Sequence, residues 1–182
     1  MTYCELKNGS VEQKFIPDIL KDEKYLQCIK LARQSKGVER YGSILINDGI
    51  VVGEGFNRAI AHLSIGKLVR PVRQGMANHA EIEAINNALL KNNAINRSQL
   101  YVAGFFPKSG MLFFKEVYTC VRCIPHMKNY GIKEIFVPTM NGWIGKAIDL
   151  ASNEAKAFVH GTHQKRLEVA TGNYFIKDLN LL

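Results

Sequence analysis

Two strand-like runs on either side of Asp48-Gly49 are the feature that most constrains the fold of this chain. Residues 42–47 read GSILIN and residues 50–57 read IVVGEGFN, and both runs are rich in aliphatic and β-branched side chains. An Asp-Gly pair favours a tight hairpin turn because both residues tolerate a positive φ. The sequence therefore predicts an antiparallel hairpin, and with it a sheet on which the rest of the chain must pack.

Helical and strand-like segments alternate along the remaining chain. Helices are expected where apolar residues recur every three to four positions, and strands where short β-rich runs occur. The expected helices are 22–36, 78–91, 120–130 and 144–157, and the further strands are 99–105, 133–137 and 158–159. This order predicts one domain over 1–182, with a core at about 22–161, as a three-layer α/β/α sandwich around a mixed five-stranded sheet. A helix between the last two strands would make them parallel.

Composition and charge narrow the class of protein. The chain has 182 residues, of which 47% are hydrophobic and 22% charged, which is enough apolar material to bury a core. The 24 Lys and Arg residues against 16 Asp and Glu give a net charge of +8. This excess favours an anionic partner such as a nucleotide, a nucleic acid or phosphate, although a basic surface also serves solubility alone.

The expected location follows from the hydrophobic pattern. No apolar run approaches the roughly 20 residues that span a bilayer. Residues 1–20 also lack the unbroken apolar stretch of a secretory signal. We therefore expect a cytoplasmic protein with reduced cysteines and no membrane partner.

Two short motifs carry metal-binding chemistry. His79-Ala80-Glu81 and Cys120-Val121-Arg122-Cys123 each open an expected helix, about forty residues apart. One imidazole and two thiolates fill three corners of a zinc tetrahedron and leave the fourth for water, as in catalytic sites. Zinc lowers the pKa of such a water to about 7, and Glu81 would stand beside it to carry its proton.

Each motif taken alone has a simpler explanation. Asn78 and Glu81 also fit a helix capping box, and a single Cys-x-x-Cys pair also fits a redox site. His126 offers a fourth zinc ligand, which would make the site structural. The occurrence of both motifs, with a strand between them, favours one catalytic zinc site.

On these motifs the chain resembles the zinc-dependent cytidine and deoxycytidylate deaminase superfamily, which also contains the tRNA adenosine deaminases. The signature of these zinc base deaminases is H-x-E followed by P-C-x-x-C. The resemblance extends from about Gly42 to Gly161 and implies that His79, Cys120 and Cys123 bind zinc. It further implies a cytidine deaminase-like sandwich, and Glu81 as the proton shuttle.

The resemblance also implies roles in substrate binding. Asn57 matches the family asparagine that hydrogen-bonds the substrate sugar or base, whereas by itself it would be a turn residue. The backbone N–H groups of Ala80 and Cys120 are expected to hold the substrate carbonyl and the zinc-bound water. One departure from the signature is Thr119, which replaces the family proline.

A second departure is a long connection between the third strand and Cys120. Its four phenylalanines would roof the base pocket, form an oligomer interface or pack as satellite core, and we favour core packing. They are Phe105, Phe106, Phe113 and Phe114. We also expect a homo-oligomer, a dimer or larger.

Within the resemblance, parallel final strands indicate the deoxycytidylate and tRNA adenosine deaminases, and the run NHAEIEAI is most similar to the former. Arg58, Arg70 and Arg73 follow Asn57 without an intervening acid and are expected to bind a substrate phosphate. The first-ranked substrate is a cytosine-type nucleoside or nucleotide, the second is adenosine in tRNA, and the third is an unusual free or modified base. A zinc-bearing module that binds nucleic acid without catalysis is the alternative outside enzymes.

Overall fold

The computed structural model of the protein describes residues 18–58, 78–108, 110–112 and 123–151, and three further short strands. For residue 111 and those three strands, only the backbone is described. The strands are β1 (Cys4–Leu6), β2 (Lys14–Phe15), β3 (Arg40–Asn47), β4 (Ile50–Phe56), β5 (Gln99–Phe106), β6 (Met111–Leu112), β7 (Glu134–Thr139), β8 (Gly142–Ala147) and β9 (Tyr174–Ile176). The α-helices are α1 (Glu23–Ala32), α2 (Ala80–Leu90) and α3 (Cys123–Asn129).

Five strands form the centre of the sheet, in the order β4-β3-β5-β7-β8. All neighbours in this set are antiparallel except β5 and β7, which are parallel. The predicted mixed five-stranded sheet is therefore confirmed. The short strands β6, β9, β1 and β2 continue the sheet in that order from the far end of β5.

The last strand of the five differs from the one predicted. The prediction of a helix over 144–157 is wrong for its first residues, because 142–147 form β8. Residues 148–151 are helical, as predicted. The strand expected at 158–159 lies outside the described residues. Trp143 explains the difference: its ring contacts Tyr101 edge-on at 5.0 Å, and its Nε1 donates to Asp22 Oδ1 at 2.9 Å. These contacts outweigh the helical periodicity of the local sequence.

The strand β8 runs antiparallel to β7, with Thr139 opposite Gly142 at the turn. A parallel pair of final strands would indicate the deoxycytidylate and tRNA adenosine deaminases. The strands β7 and β8 form a direct antiparallel hairpin instead, so this pair does not support that choice. The residues of the zinc motifs are unaffected by this correction.

The hairpin predicted around Asp48-Gly49 is present. Both turn residues have positive φ, 47° at Asp48 and 80° at Gly49, as a two-residue turn of this kind requires. Helix α1 begins directly after Asp22, whose carboxylate accepts a hydrogen bond from the Tyr25 N–H at 2.9 Å. It ends at Ala32, four residues before the predicted end.

Helices cover both faces of the sheet, which confirms the three-layer architecture. Successive strand residues point to opposite faces, so neighbouring positions join different cores. One core, beneath α1, includes Ile29, Ile44, Tyr101, Ala103 and Phe105. The other, beneath α2 and α3, includes Leu45, Ile85, Leu100, Met127 and Ile135.

Helix α2 lies unusually close to β4. Gly53 and Gly55 point to the same face, and a Cβ atom on either would collide with the backbone of α2 at Ala84 or Ala80. The hydroxyl of Ser43 donates a 2.7 Å hydrogen bond to the carbonyl of Ala80, at the first turn of the same helix. Together these contacts fix the N-terminus of α2 over the sheet.

The outer edge of β4 carries side-chain caps. The amide of Asn87 donates to the carbonyl of Glu54 at 2.6 Å, and the amide of Asn93 donates to the carbonyl of Val52 at the same distance. Both donors come from α2 or the segment that follows it. The backbone carbonyls of this edge strand are therefore bonded within the chain at two positions.

The phenylalanine-rich connection after β5 folds back as β6. Phe105 and Leu112 are opposite each other in this pair and both are buried in the core beneath α1. Core packing is thus the observed role of Phe105, whereas Phe113 and Phe114 lie outside the described residues.

Among the residues that the structure describes, none of the helices has the length and apolar character of a membrane-spanning segment.

The fully buried Cys28 makes stability sensitive to alkaline pH. Burial raises the pKa of this thiol far above its ordinary value, so in the folded state it keeps its proton. The unfolded thiol ionises above about pH 8.5, so folding stability present below that pH should fall as pH rises, by up to about 1.4 kcal/mol per pH unit.

We expect Cys28→Ala to flatten the decline in the free energy of unfolding between about pH 8 and 9.5. Urea unfolding of both proteins across that range measures the two slopes. Identical slopes would contradict the assignment to Cys28.

Candidate metal centre

The N-terminus of α2 presents His79 at the sheet end. His79 is the N-cap residue, but its side chain makes no capping hydrogen bond, and its carbonyl accepts from the Glu83 N–H at 3.1 Å. The capping box of Asn78 and Glu81 is therefore wrong. Asn78 lies one residue before the cap, where its carbonyl accepts a 3.0 Å hydrogen bond from the Arg58 N–H.

Helix α3 brings Cys123 to the same place. Cys123 is the first residue of α3 and is buried, and its Sγ lies 3.3 Å from His79 Nδ1. The thiolate is the form of cysteine that binds a metal ion. Pro125, in the first turn, removes no N–H that the helix ladder needs.

The ligand atoms of His79, Glu81 and Cys123 all lie within 4.8 Å of one another and could hold a metal ion. Typical zinc bonds of about 2.0 Å to nitrogen and 2.3 Å to sulfur, at a tetrahedral angle, separate the two donors by roughly 3.5 Å. The observed 3.3 Å between Cys123 Sγ and His79 Nδ1 fits that requirement. A nitrogen and sulfur donor set is also the one that zinc prefers.

The two other candidate ligands differ in status. Cys120 lies outside the described residues, so its place in the group stays a prediction. His126 is described, in α3, and it is not a member of the group that His79, Glu81 and Cys123 form.

Glu81 is buried in the first turn of α2, beside the two candidate ligands. A carboxylate at this position can accept protons and hydrogen bonds beside a metal ion. Its position is the one that the sequence predicts for the proton shuttle, and this role stays a prediction.

Tyr41 is a residue near the site that the sequence analysis missed. Its hydroxyl lies 3.2 Å from Glu39 Oε2, and its ring packs, partly buried, against the core beneath α2 and α3. Burial raises the pKa of Tyr41 well above its ordinary value, and the negative charges of Glu39 and Glu81 raise it further. One signal in the sequence points to Tyr41. Side chains alternate along a strand, so Tyr41 shares a face of β3 with Ser43 and Leu45.

Asn57 lies at the end of β4 and its amide is bonded to the chain. Its Oδ1 accepts from the Tyr41 N–H and its Nδ2 donates to the Glu39 carbonyl, both at 2.8 Å. The side chain therefore has a structural role in joining β4 to the start of β3. The Asn57 Nδ2 carries two hydrogens, and the bond to the Glu39 carbonyl uses one of them.

Arg58 is paired with an acid that the sequence does not place near it. Its Nη2 lies 3.0 Å from Glu83 Oε1, and its guanidinium sits 4.6 Å above the ring of Phe56. The predicted phosphate contact of Arg58 must compete with this ion pair. Arg70 and Arg73 lie outside the described residues, and phosphate binding by all three stays a prediction.

Comparison with known proteins gives a family match. A sequence model of the cytidine and deoxycytidylate deaminase zinc-binding region matches residues 20–139, about two thirds of the chain. A comparison with curated protein sequences finds no match.

Three solved structures illustrate what the chain is similar to. The apo dCMP deaminase of the cyanophage S-TIM5 is 17% identical with a TM-score of 0.37, and the similarity covers 54% of this chain and 64% of the phage chain, less than two thirds of it. The same enzyme in complex with dCMP and dUMP is 16% identical with a TM-score of 0.38, and the similarity covers 57% of this chain and 68% of the phage chain. The third structure is a diaminohydroxyphosphoribosylaminopyrimidine deaminase/5-amino-6-(5-phosphoribosylamino)uracil reductase from Thermotoga maritima. It is 19% identical with a TM-score of 0.43, and the similarity covers 72% of this chain and 33% of the Thermotoga chain.

The matched region contains both helix N-termini of the metal-binding group, and the family description names zinc. The nitrogen and sulfur donors of His79 and Cys123 agree with that metal. The match also spans more than half of the chain, from before α1 to the end of β7. This chain therefore belongs to the cytidine and deoxycytidylate deaminase family.

Proposed function

We propose that the protein is a zinc-dependent hydrolytic deaminase that removes the amino group from a cytosine-type base in a nucleoside or nucleotide and releases ammonia. The observation that carries this proposal is the grouping of His79, Cys123 and the buried acid Glu81 within 4.8 Å. Two of these side chains are suited to hold zinc, and the third is suited to move a proton beside it.

His79 and Cys123 would hold the metal from the N-termini of α2 and α3, with Cys120 as the third expected ligand. When bound there, zinc supplies a Lewis acid that lowers the pKa of water to about 7. Both side chains would reach the ion from helices that pack on the sheet, so little reorganisation would be needed to bind it.

Glu81 performs the proton transfers of the proposed reaction. Its carboxylate accepts a proton from the attacking water, returns it to the ring nitrogen of the base, and then carries a second proton to the departing amine. The bond from carbon to the amine breaks, a bond from carbon to oxygen forms, and ammonia leaves. A carboxylate held in a first helical turn meets the requirement that a general acid and base be positioned before the reaction.

The substrate would lie between Glu81 and Asn57. The N–H of Ala80 is at the first position of α2, where backbone donors lack partners within the helix, and is proposed to hold the base carbonyl. The second hydrogen of Asn57 Nδ2 would bind the sugar or base. Arg70 and Arg73 are proposed to contact a phosphate, with Arg58 limited by its ion pair to Glu83.

The net charge of +8 favours a second candidate, deamination of adenosine in tRNA, because a basic surface attracts the phosphate backbone. A zinc-bearing module without catalysis would have no use for the buried Glu81, since a structural zinc needs no proton carrier.

One zinc ion per chain is the expected metal content. His79→Ala and the double variant Cys120→Ala, Cys123→Ala should each lose most of it, because fewer ligands remain to hold the ion. Elemental analysis of purified proteins measures the stoichiometry, with Cys28→Ala on the opposite face of the sheet as control. Full zinc retention in the double variant would rule out this site.

Replacing Glu81 with Gln should abolish turnover while leaving zinc content intact, because the amide cannot carry protons. The assay is ammonia release from a panel of bases, nucleosides, nucleotides and tRNA, with the melting temperature measured alongside. Glu23→Gln changes an exposed first-turn acid of α1 and is the control. A near-normal rate with lowered stability would mean that Glu81 serves only the helix, as a first-turn acid whose charge contributes about 0.3–1 kcal/mol.

Arg70→Ala and Arg73→Ala should each lower kcat/KM for dCMP by about 10-fold or more and leave cytidine unchanged, because a charge-assisted contact to phosphate is lost. Arg58→Ala should affect both substrates, since it also breaks the pair with Glu83. Arg33→Ala, at the end of α1, is the control. Equal losses for the nucleotide and the nucleoside in Arg70→Ala and Arg73→Ala would exclude a phosphate contact.

A further inference from the structure

Tyr41 lies on the side of the sheet that carries the metal-binding group. Side chains two residues apart on a strand share a face. Ser43 on that face bonds the carbonyl of Ala80 at the start of α2, and Leu45 joins the core beneath α2 and α3. Tyr41 is the next residue on this face toward the start of β3, and its ring contacts the same core. It is therefore close to the N-terminus of α2.

Hydrogen bonds at its backbone and at its hydroxyl hold Tyr41 in place. Its backbone N–H donates to Asn57 Oδ1 at 2.8 Å and its carbonyl accepts from the Asn57 N–H at 3.1 Å. Its hydroxyl donates to Glu39 Oε2 at 3.2 Å. The ring is thus fixed at both ends, next to the residue that is expected to bind the sugar and on the side of the expected proton carrier.

We propose that Tyr41 is a specificity-determining residue whose ring forms one wall of the base site, between Asn57 and the group of His79, Glu81 and Cys123. This inference rests on the proposed deaminase function and adds a contact that the family motifs do not include. Glu39 acts through Tyr41 as a positioning residue, because its carboxylate holds the hydroxyl and so limits rotation of the ring.

The chemistry of the ring suits a base. Stacking or edge contact between an aromatic ring and a nucleobase needs no particular hydrogen-bond pattern and is strongest when the ring is held before binding. Tyr41 as a residue is only partly buried in the folded chain, and a bound base is proposed to cover part of its remaining surface. Burial, and then the carboxylates of Glu39 and Glu81, raise the pKa of Tyr41 above its ordinary value, so the phenol keeps the proton that it donates to Glu39.

The test compares Tyr41→Leu and Tyr41→Phe with the same changes at Tyr101, a buried tyrosine of the opposite core. Steady-state ammonia release from cytidine and from dCMP gives kcat and KM. We expect Tyr41→Leu to raise KM by about 5- to 150-fold, the range of base stacking on an aromatic ring, with kcat changed less than about threefold. Tyr41→Phe should raise KM by about 2- to 10-fold, because it loses only the bond to Glu39.

The Tyr101 variants should lower the melting temperature and leave KM unchanged. The Tyr41 variants would give the same result if Tyr41 had only a structural role. An unchanged KM in Tyr41→Phe and Tyr41→Leu would overturn the proposal. If Tyr41→Leu fails to fold, Tyr41→Phe decides by itself, since it preserves the ring.

Calorimetric binding of cytidine and dCMP separates this proposal from the function on which it rests. In the Glu81→Gln variant, Tyr41→Leu should weaken binding by the same factor as it raises KM. Wild-type protein that binds either compound without releasing ammonia, with affinity that depends on Tyr41, would refute the deaminase function and keep the base contact. Affinity that does not depend on Tyr41 would refute the contact, whatever the activity.

Discussion

The close packing of α2 on β4 is the contact on which the candidate site depends. Gly53 and Gly55 leave no side chain between the strand and the helix backbone, so a side chain at either position would push α2 away from β4. The hydrogen bond from Ser43 to the Ala80 carbonyl fixes the end of the helix that carries His79 and Glu81. A metal site needs ligands placed to within about half an ångström, and this packing supplies that precision for one of its two helices.

Local signals in the sequence predict much of this arrangement. The Asp48-Gly49 turn, the two central strands that it joins, and the motifs that begin with His79 and end with Cys123 can each be identified from neighbouring residues. The grouping of His79 with Cys123 follows once both helices are placed on the same face of the sheet. The sequence also predicts the layered α/β architecture, because its helices and strands alternate in a regular order.

Contacts between distant residues account for what the sequence does not reveal. Residues 144–147 have a helical pattern, yet Trp143 bonds Asp22, 121 positions earlier, and holds this segment as a strand. Arg58 follows a stretch without acids, but folding brings Glu83 against it. Asn57 bonds the backbone of β3, and Tyr41 approaches the site only because the hairpin folds as it does. None of these pairings is encoded within a single segment.

The amide caps on β4 have a consequence for how copies of the chain meet. An edge strand normally offers free backbone groups to any other strand that approaches it. Here Asn87 and Asn93 already occupy the carbonyls of Glu54 and Val52, so an incoming strand would have to displace both amides. Within the part of the chain that the structure describes, the two amides therefore disfavour pairing of this edge with a strand of a second molecule.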